Sequence, residues 1–491
     1  MSKQLQKLLA MTVLTLLPVS SFALPIDWHG SFGVDTTLMS DFRLIKSKTD
    51  NSTGNDGTQE VKLTAGNKSS ASWQSYVLRL SPTMVINDAA TFFGELSTGY
   101  ANGGFLGDSP AVDAGAVAGT SAGNNGAGLF YHNQSLGQGL NIKKAYIELY
   151  SDTATYVIGR HTTEWGLGAI YNDGSDAWDR HASSRDGITM KLKIGNFHVS
   201  PFWSKVSNPG YTDATNAKEY GAGLLYDNPE RDVAFGLMYG KKSNGVSNDL
   251  FKTSINTQVS LGENDITITD LYFKKVFGKI DMAVEVPLMS GELGKTSAAG
   301  TATTYSAKAF LLQTNYKWTD TWTVGLDAGQ VSGHDGGTGK FGALYLNPNY
   351  QIANLIFRYN RNAVGTTSQS IYDSSITNAR YFKLRSSYSS EKWVFDSALI
   401  IAKAIETAKA GANAYNHTKN KIFTNAVGNQ SDSMGTEVDF NAKYHWNKEV
   451  SIGSALGYFM PGDYFSYTNS ATVTNQTKSS LLLQINTAVT F

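Results

Sequence analysis

Between Ser480 and Phe491 the chain alternates in steps of two. Leu481, Leu483, Ile485, Thr487, Val489 and Phe491 share one parity, and Gln484, Asn486, Ala488 and Thr490 share the other. A period of two is that of a strand with one apolar and one polar face. About ten residues is the length at which a tilted strand crosses a bilayer. The same alternation recurs as pairs of strands around tight polar turns. A first strand, 26–40, is followed by pairs at 73–86 and 91–100, 140–150 and 154–160, 188–194 and 197–206, and 219–226 and 233–239. Further pairs lie at 266–276 and 280–289, 305–318 and 322–331, 381–388 and 393–402, and 437–446 and 450–460. Between pairs run longer stretches rich in Gly, Ala, Asn, Ser and Thr, the composition of loops. Short turns on one side and long loops on the other predict an all-β fold: one transmembrane antiparallel up-and-down barrel of about 18 strands, with short periplasmic turns and long extracellular loops. Losing one strand from this set would give about 16.

Residues 350–359 (YQIANLIFRY) also read as a strand. Counting them makes the number odd, whereas bacterial single-chain barrels are even-numbered, and it would turn the two later tight turns outward. The stretch is therefore expected in an extracellular loop. Its apolar residues, with those of the preceding residues from Phe341, favour packing over or into the mouth as a constriction, with Arg358 in the opening.

Composition fits the strand pattern. Of 491 residues 17% are charged, 12% aromatic and 48 are glycine, with 41 basic and 41 acidic side chains and no cysteine. A formal charge of zero without a basic face argues against nucleic acid as a partner. Lys3 and Lys7, the apolar run Leu8 to Leu17, and Ser21-Phe22-Ala23 form the three regions of a secretory signal. The expected organisation is a signal peptide at 1–23 and a barrel at 24–491. The terminal strand with its aromatic end resembles that of Gram-negative outer-membrane β-barrels, and with the export signal it implies an outer-membrane location. Phe491 is expected to serve as the assembly signal read by the barrel-assembly machinery, and the strand edge it closes is one that would otherwise aggregate.

Two blocks carry a family likeness. One is Gly159-Arg160, Glu164-Trp165-Gly166, Trp178 and Arg185-Asp186-Gly187; the other is Gly333-His334-Asp335, Gly339, Phe341 and Asn347-Pro348. With them the chain resembles the alginate-export family of outer-membrane porins and related large barrels. The resemblance implies a porin, and a loop between strands for the second block. The family's lumen is dominated by basic side chains for an anionic polymer, and this sequence departs from that.

Alternation sorts the wall residues. Arg79, Glu95, Lys144, Glu148, Lys191, Lys193, Asp281, Glu285, Asp327, Lys383, Arg385, Asp396, Glu437, Asp439 and Lys443 fall inward. A Lys or Arg at the lipid midplane would cost about 2–4 kcal/mol. Arg160 and Arg358 are added as pore-lining candidates at the loop side. Trp73, Trp203, Trp318, Trp322, Trp393 and Trp446 sit near strand ends, where interfacial girdles belong. The expected lumen is of mixed sign, passing small polar solutes or ions by size and charge.

His161 and Glu164 lack the two-histidine spacing of a zinc site, and no nucleophile elbow or phosphate loop occurs. Neither catalytic residues, nor cofactor, nor metal ligands are assigned. Alternatives to a general channel are a substrate-specific saccharide channel and a surface adhesin using its loops. Expected partners are outer-membrane lipid and lipopolysaccharide and small polar solutes, with the protein a monomer or homotrimer.

Overall fold

The structure, a computed structural model, describes residues 25–49, 54–55, 61–63, 68–98, 104–106, 140–206, 217–244, 264–295, 302–361, 371–417, 421–471 and 473–491. The segment expected to be a signal peptide, residues 1–23, lies outside the described residues.

The wall strands are β1 (Ile26–Met39), β2 (Ala71–Asn87), β3 (Ala90–Ser97), β4 (Asn141–Tyr150), β5 (Ala154–Thr162) and β6 (Ser184–Ile194). Then come β7 (Phe197–Lys205), β8 (Lys218–Asn228), β9 (Val233–Asn244), β10 (Asn264–Phe277), β11 (Ile280–Lys295) and β12 (Ala302–Lys317). The last six are β13 (Trp322–Val331), β14 (Ala379–Ser389), β15 (Trp393–Ala404), β16 (Ser433–His445), β17 (Val450–Pro461) and β18 (Ser480–Thr490). Each pairs antiparallel with its sequence neighbours, and β1 pairs with both β2 and β18, so the sheet closes as an 18-stranded antiparallel barrel. Closure removes the free edges. The Gly30 amide donates to the Phe491 carbonyl at 2.8 Å, and the Phe491 amide donates back to Gly30 at 3.0 Å. Residues 350–359 contribute no wall strand.

Strand chemistry explains the ends. Gly195 and Gly278 adopt φ +58° at the first position of two-residue turns, where a II′ hairpin takes glycine. All the tight turns and both ends of the strand series lie at one rim; the longer connections lie at the other. Outward positions are apolar and exposed, as at Val438, Phe440, Leu481, Leu483 and Ile485. Trp203, Trp318, Trp322, Trp393 and Trp446 are exposed near strand ends, joined by Trp28. Trp73 is a correction: it turns inward, donates from Nε1 to the Tyr372 hydroxyl at 2.9 Å and meets Tyr359 edge-on. The packed core is inside the barrel, between the wall and two inward connections.

Candidate functional site: the constricted lumen

Residues 163–183, between β5 and β6, and 332–361 and 371–378, between β13 and β14, fold into the barrel. Trp165, Ala169 and Tyr171 from the first, and Leu344, Leu346, Tyr350, Leu355 and Ile356 from the second, are buried against the wall side chains Met238, Ile266, Ile268, Leu311, Ile400 and Phe459. Burying apolar surface at about 25 cal/mol per Å² favours this over extension into water. Wall glycines make the seats. A Cβ on Gly33 would lie 2.8 Å from the Trp178 ring, and one on Gly236 would lie 2.7 Å from that of Trp165.

The two connections are clipped together by Asn347 and Asn349. The Asn347 amide donates to the Ala169 carbonyl at 2.7 Å; Asn349 Nδ2 donates to Asn172 Oδ1 at 2.9 Å and to the His181 carbonyl at 2.6 Å. His181 Nε2 lies 3.1 Å from the Tyr372 carbonyl.

Irregular backbone inside a barrel leaves peptide groups that need partners. The wall's charged side chains supply them. Glu437 accepts from the amides of Leu355 and Ile356 at 2.6 and 2.8 Å, and Asp439 from that of Asn354 at 3.0 Å. Glu285 accepts from the Leu167 amide at 2.5 Å. On β2 and β4 the signs reverse. Lys143 donates to the Gly174 carbonyl at 2.6 Å, and Arg79 donates to the carbonyls of Ser175, at 3.2 Å, and Asp179. Carboxylates hold loop amides, and cations hold loop carbonyls.

This changes the reading of several inward charges. Glu285, Glu437, Asp439 and Arg79 face inward but are covered by the connections they hold, so they do not line open lumen. Glu95 is also buried, between Lys143 and Lys144, 3.0 Å from each. Lys143 is missed by alternation because a register irregularity between Glu95 and Leu96 lets two successive lysines reach one carboxylate. Asp327 is chelated by Arg385 at 2.9–3.1 Å, with Lys383 opposite it in register. Lys193 and Asp281 lie on inward positions near the turn-side mouth, and Asp281 is 4.0 Å from Lys274. Arg160 is the second correction. It shares the parity of the exposed Tyr156 and Ile158, lies on the outer face, and binds Asp186 through two contacts of 2.6 and 2.7 Å. It stands at the loop-side end of β5, where an outward cation costs about 0–1 kcal/mol.

Among the described residues, two of the open spaces are lined by charged side chains. A cavity of about 330 Å³ is lined by Glu148 and Lys191, paired at 3.0 Å, with His161, Arg185 and His198. His161 is held by the Thr189 hydroxyl at 2.7 Å. A larger space of about 630 Å³ runs from Lys448 and Glu449 in the turn between β16 and β17, past Lys443 and Asp396, to Arg358, Arg180, Asp179 and Asp35 beneath the connections. Arg180 donates to Ser75 at 2.7 Å, stacks 4.0 Å over Tyr372 and lies 3.8 Å from Asp35. Arg358 follows Phe357, whose φ of +65° is rare for a bulky residue; strained backbone of this kind marks a site held by its surroundings. Asp179 has its carboxyl pKa pushed up to about 6, by burial and then by Asp176.

Sequence reasoning missed the 163–183 half of the constriction. Trp165, Leu167, Ile170, Tyr171 and Trp178 carry the same apolar density that marks residues 341–359.

The sequence matches no protein-family model and no curated protein. Among solved structures, the chain is similar to OccK11 (OpdR) of Pseudomonas aeruginosa, with 11% identity over 95% of this chain and 96% of that one and a TM-score of 0.48. It is similar to OccK2 (OpdF) of the same organism in complex with glucuronate, with 10% identity over 95% and 98% and a TM-score of 0.47. It is also similar to OmpT, an outer membrane protein of Vibrio cholerae, with 9% identity over 96% and 99% and a TM-score of 0.37. The barrel here is established by its own strand pairing.

Proposed function

We propose that this chain is an outer-membrane channel that passes small polar solutes or ions passively through a lumen narrowed by two inward connections. The observation that carries this reading is the space of about 630 Å³, lined by charged side chains from the turn-side mouth to Arg358 and Arg180, inside a wall with an apolar outer face. Both signs are present: Asp35, Asp179, Asp396 and Glu449 against Arg180, Arg358, Lys443 and Lys448. Selection is by size and by this charge pattern, without turnover. A site of 300–1,000 Å³ suits a solute of drug-like size or smaller.

The finer reading is a channel for one saccharide class. It is supported by the resemblance of the Gly159–Gly187 and Gly333–Pro348 blocks to alginate-export porins, since both blocks run into the two inward connections. Swelling of proteoliposomes in a graded series of polar solutes tests both. Faster entry of small sugars than of larger ones supports the channel, and selective uptake or blockade by uronates supports the finer reading. Permeability equal to that of protein-free vesicles contradicts both.

A further inference from the structure

The outer face carries a cationic row at the loop-side rim that the lumen does not use. Arg160 on β5, Asp186 on β6, Lys205 on β7 and Lys218 on β8 are successive cross-strand partners: Arg160 with Asp186, Asp186 with Lys205, and Lys205 with Lys218. Adjacent strands lie about 4.8 Å apart, so the four positions span about 14 Å. All four side chains are exposed. Their outward direction follows from their parity, because two residues further into the wall the same strands expose Ile158, Ile188, Trp203 and Tyr220. Lys241 on β9, the register partner of Tyr220, lies one step deeper beside the row and is held by Asp265 at 3.0 Å.

The charges do not cancel within the row. Asp186 is taken up by Arg160, and Asp265 by Lys241. Lys205 and Lys218 face each other across β7 and β8, with no carboxylate of the described residues within 4 Å. Two like charges side by side repel, and they gain from a shared anion. The β7 strand has nine residues, about the length that crosses the apolar layer. Lys205 at its last position therefore sits at headgroup height, above a Trp203 ring placed at the interface.

We propose that the outer face of β5–β9 at this rim docks a phosphorylated saccharolipid of the outer leaflet. The phosphate would lie between Lys205 and Lys218, flanked by Arg160 and Lys241, with Trp203 and Tyr220 against the upper acyl chains and sugar. The proposal rests on the outer-membrane reading, which sets which leaflet meets the loop-side rim. It commits to a lipid because the row combines cations that have no carboxylate partner among the described residues with aromatic rings one step deeper, matching an amphiphile with its anionic group uppermost.

The test is native mass spectrometry of the full, detergent-purified barrel titrated with diphosphorylated lipid A, alongside the same lipid after phosphatase treatment. Each lysine near an anionic surface contributes about fivefold in affinity. The K205Q/K218Q double variant is expected to bind about thirty-fold more weakly, and the wild type is expected to prefer the phosphorylated lipid by a comparable factor. Equal binding by wild type and variant, or indifference of the wild type to phosphate removal, overturns the proposal. So does a change in oligomer mass in the variant at unchanged lipid stoichiometry, which would make this face an interface between copies. If the variant does not fold, the phosphatase arm on the wild type decides alone. Swelling assays on the same preparation separate this proposal from the channel reading. A permeable barrel that binds no phospholipid-like anion refutes only the docking site, and an impermeable barrel that binds it refutes only the channel.

Discussion

Asp179 is a carboxyl of the larger cavity whose charge changes near pH 6. Its ordinary pKa of 3.8 is raised to about 6 by burial and the neighbouring Asp176, against the opposing pull of Arg79 and Lys143. The group is neutral below about 6 and anionic above it. The sign for stability follows. The support it gives the 163–183 connection is full below the ordinary carboxyl value and is lost as pH rises through about 6. The sign for transport is separate: the larger cavity gains one negative charge over the same window. The ratio of cation to anion permeability should therefore rise between pH 5 and pH 7, and D179N should flatten that rise. His181, whose pKa is lowered by burial, lines the same cavity. The comparison of wild type with D179N isolates the carboxyl; a rise of equal size in both would show that Asp179 does not control it. Glu437 offers a second residue-scale prediction. Replacing it with Ala removes a carboxylate that accepts from the Leu355 and Ile356 amides. Such charge-assisted bonds contribute about 1.5–3 kcal/mol each, so those two amides should exchange with deuterium at least about tenfold faster, with the wall amides unchanged. Unaltered exchange at both would mean the carboxylate does not hold the connection.

At the scale of elements, period-two alternation carried most of the wall. It located all the strand pairs and the faces of β16 and β18, because one face meets lipid and the other meets water or packed loop. It misassigned residues where that rule lapses. Lys143 escaped because a register irregularity puts it beside Lys144. Trp73 was read as a girdle residue from its place near a strand end, but Tyr359 and Tyr372 reach it from a connection almost 300 positions away. Arg160 reads as a loop-side pore candidate, but the parity of Tyr156 and Ile158 turns it outward. The anchoring roles of Glu285 and Glu437 were not legible at all, since their partners are backbone amides brought up by tertiary folding. Two element-scale predictions follow from the packing. G33V places side-chain atoms where the Trp178 ring lies; overpacking of this kind costs about 1–3 kcal/mol. It should displace the 163–183 connection and raise permeability while the barrel stays folded, and unchanged permeability would count against Trp178 as a structural seat. Deleting Phe491 removes the two backbone bonds to Gly30 and the ring that lies over it. The yield of heat-modifiable, folded barrel in the outer membrane should fall, with aggregated chain in the periplasm; a normal yield would detach Phe491 from assembly.

The whole molecule is a closed wall around a partly filled interior. Parity placed residues 350–359 off the wall, and the strand pairing accommodates them in the connection between β13 and β14. The apolar residues that make that stretch look like a strand are the ones that pack against the inner wall. Most of the strongly buried inward charges are engaged in holding backbone or each other, and the charge available to a solute is concentrated in the two cavities. Such an arrangement lets the same side chains set the width of the lumen and its sign. A connection between β13 and β14 that narrows a conducting pore must widen the path when it is removed. Single-channel recording in planar bilayers compares the wild type with a barrel in which residues 341–359 are replaced by a short Gly-Ser linker. The wild type should show resolved openings, and the excised barrel a severalfold larger unit conductance. Equal conductance from two folded barrels, or no conductance from either, would contradict it.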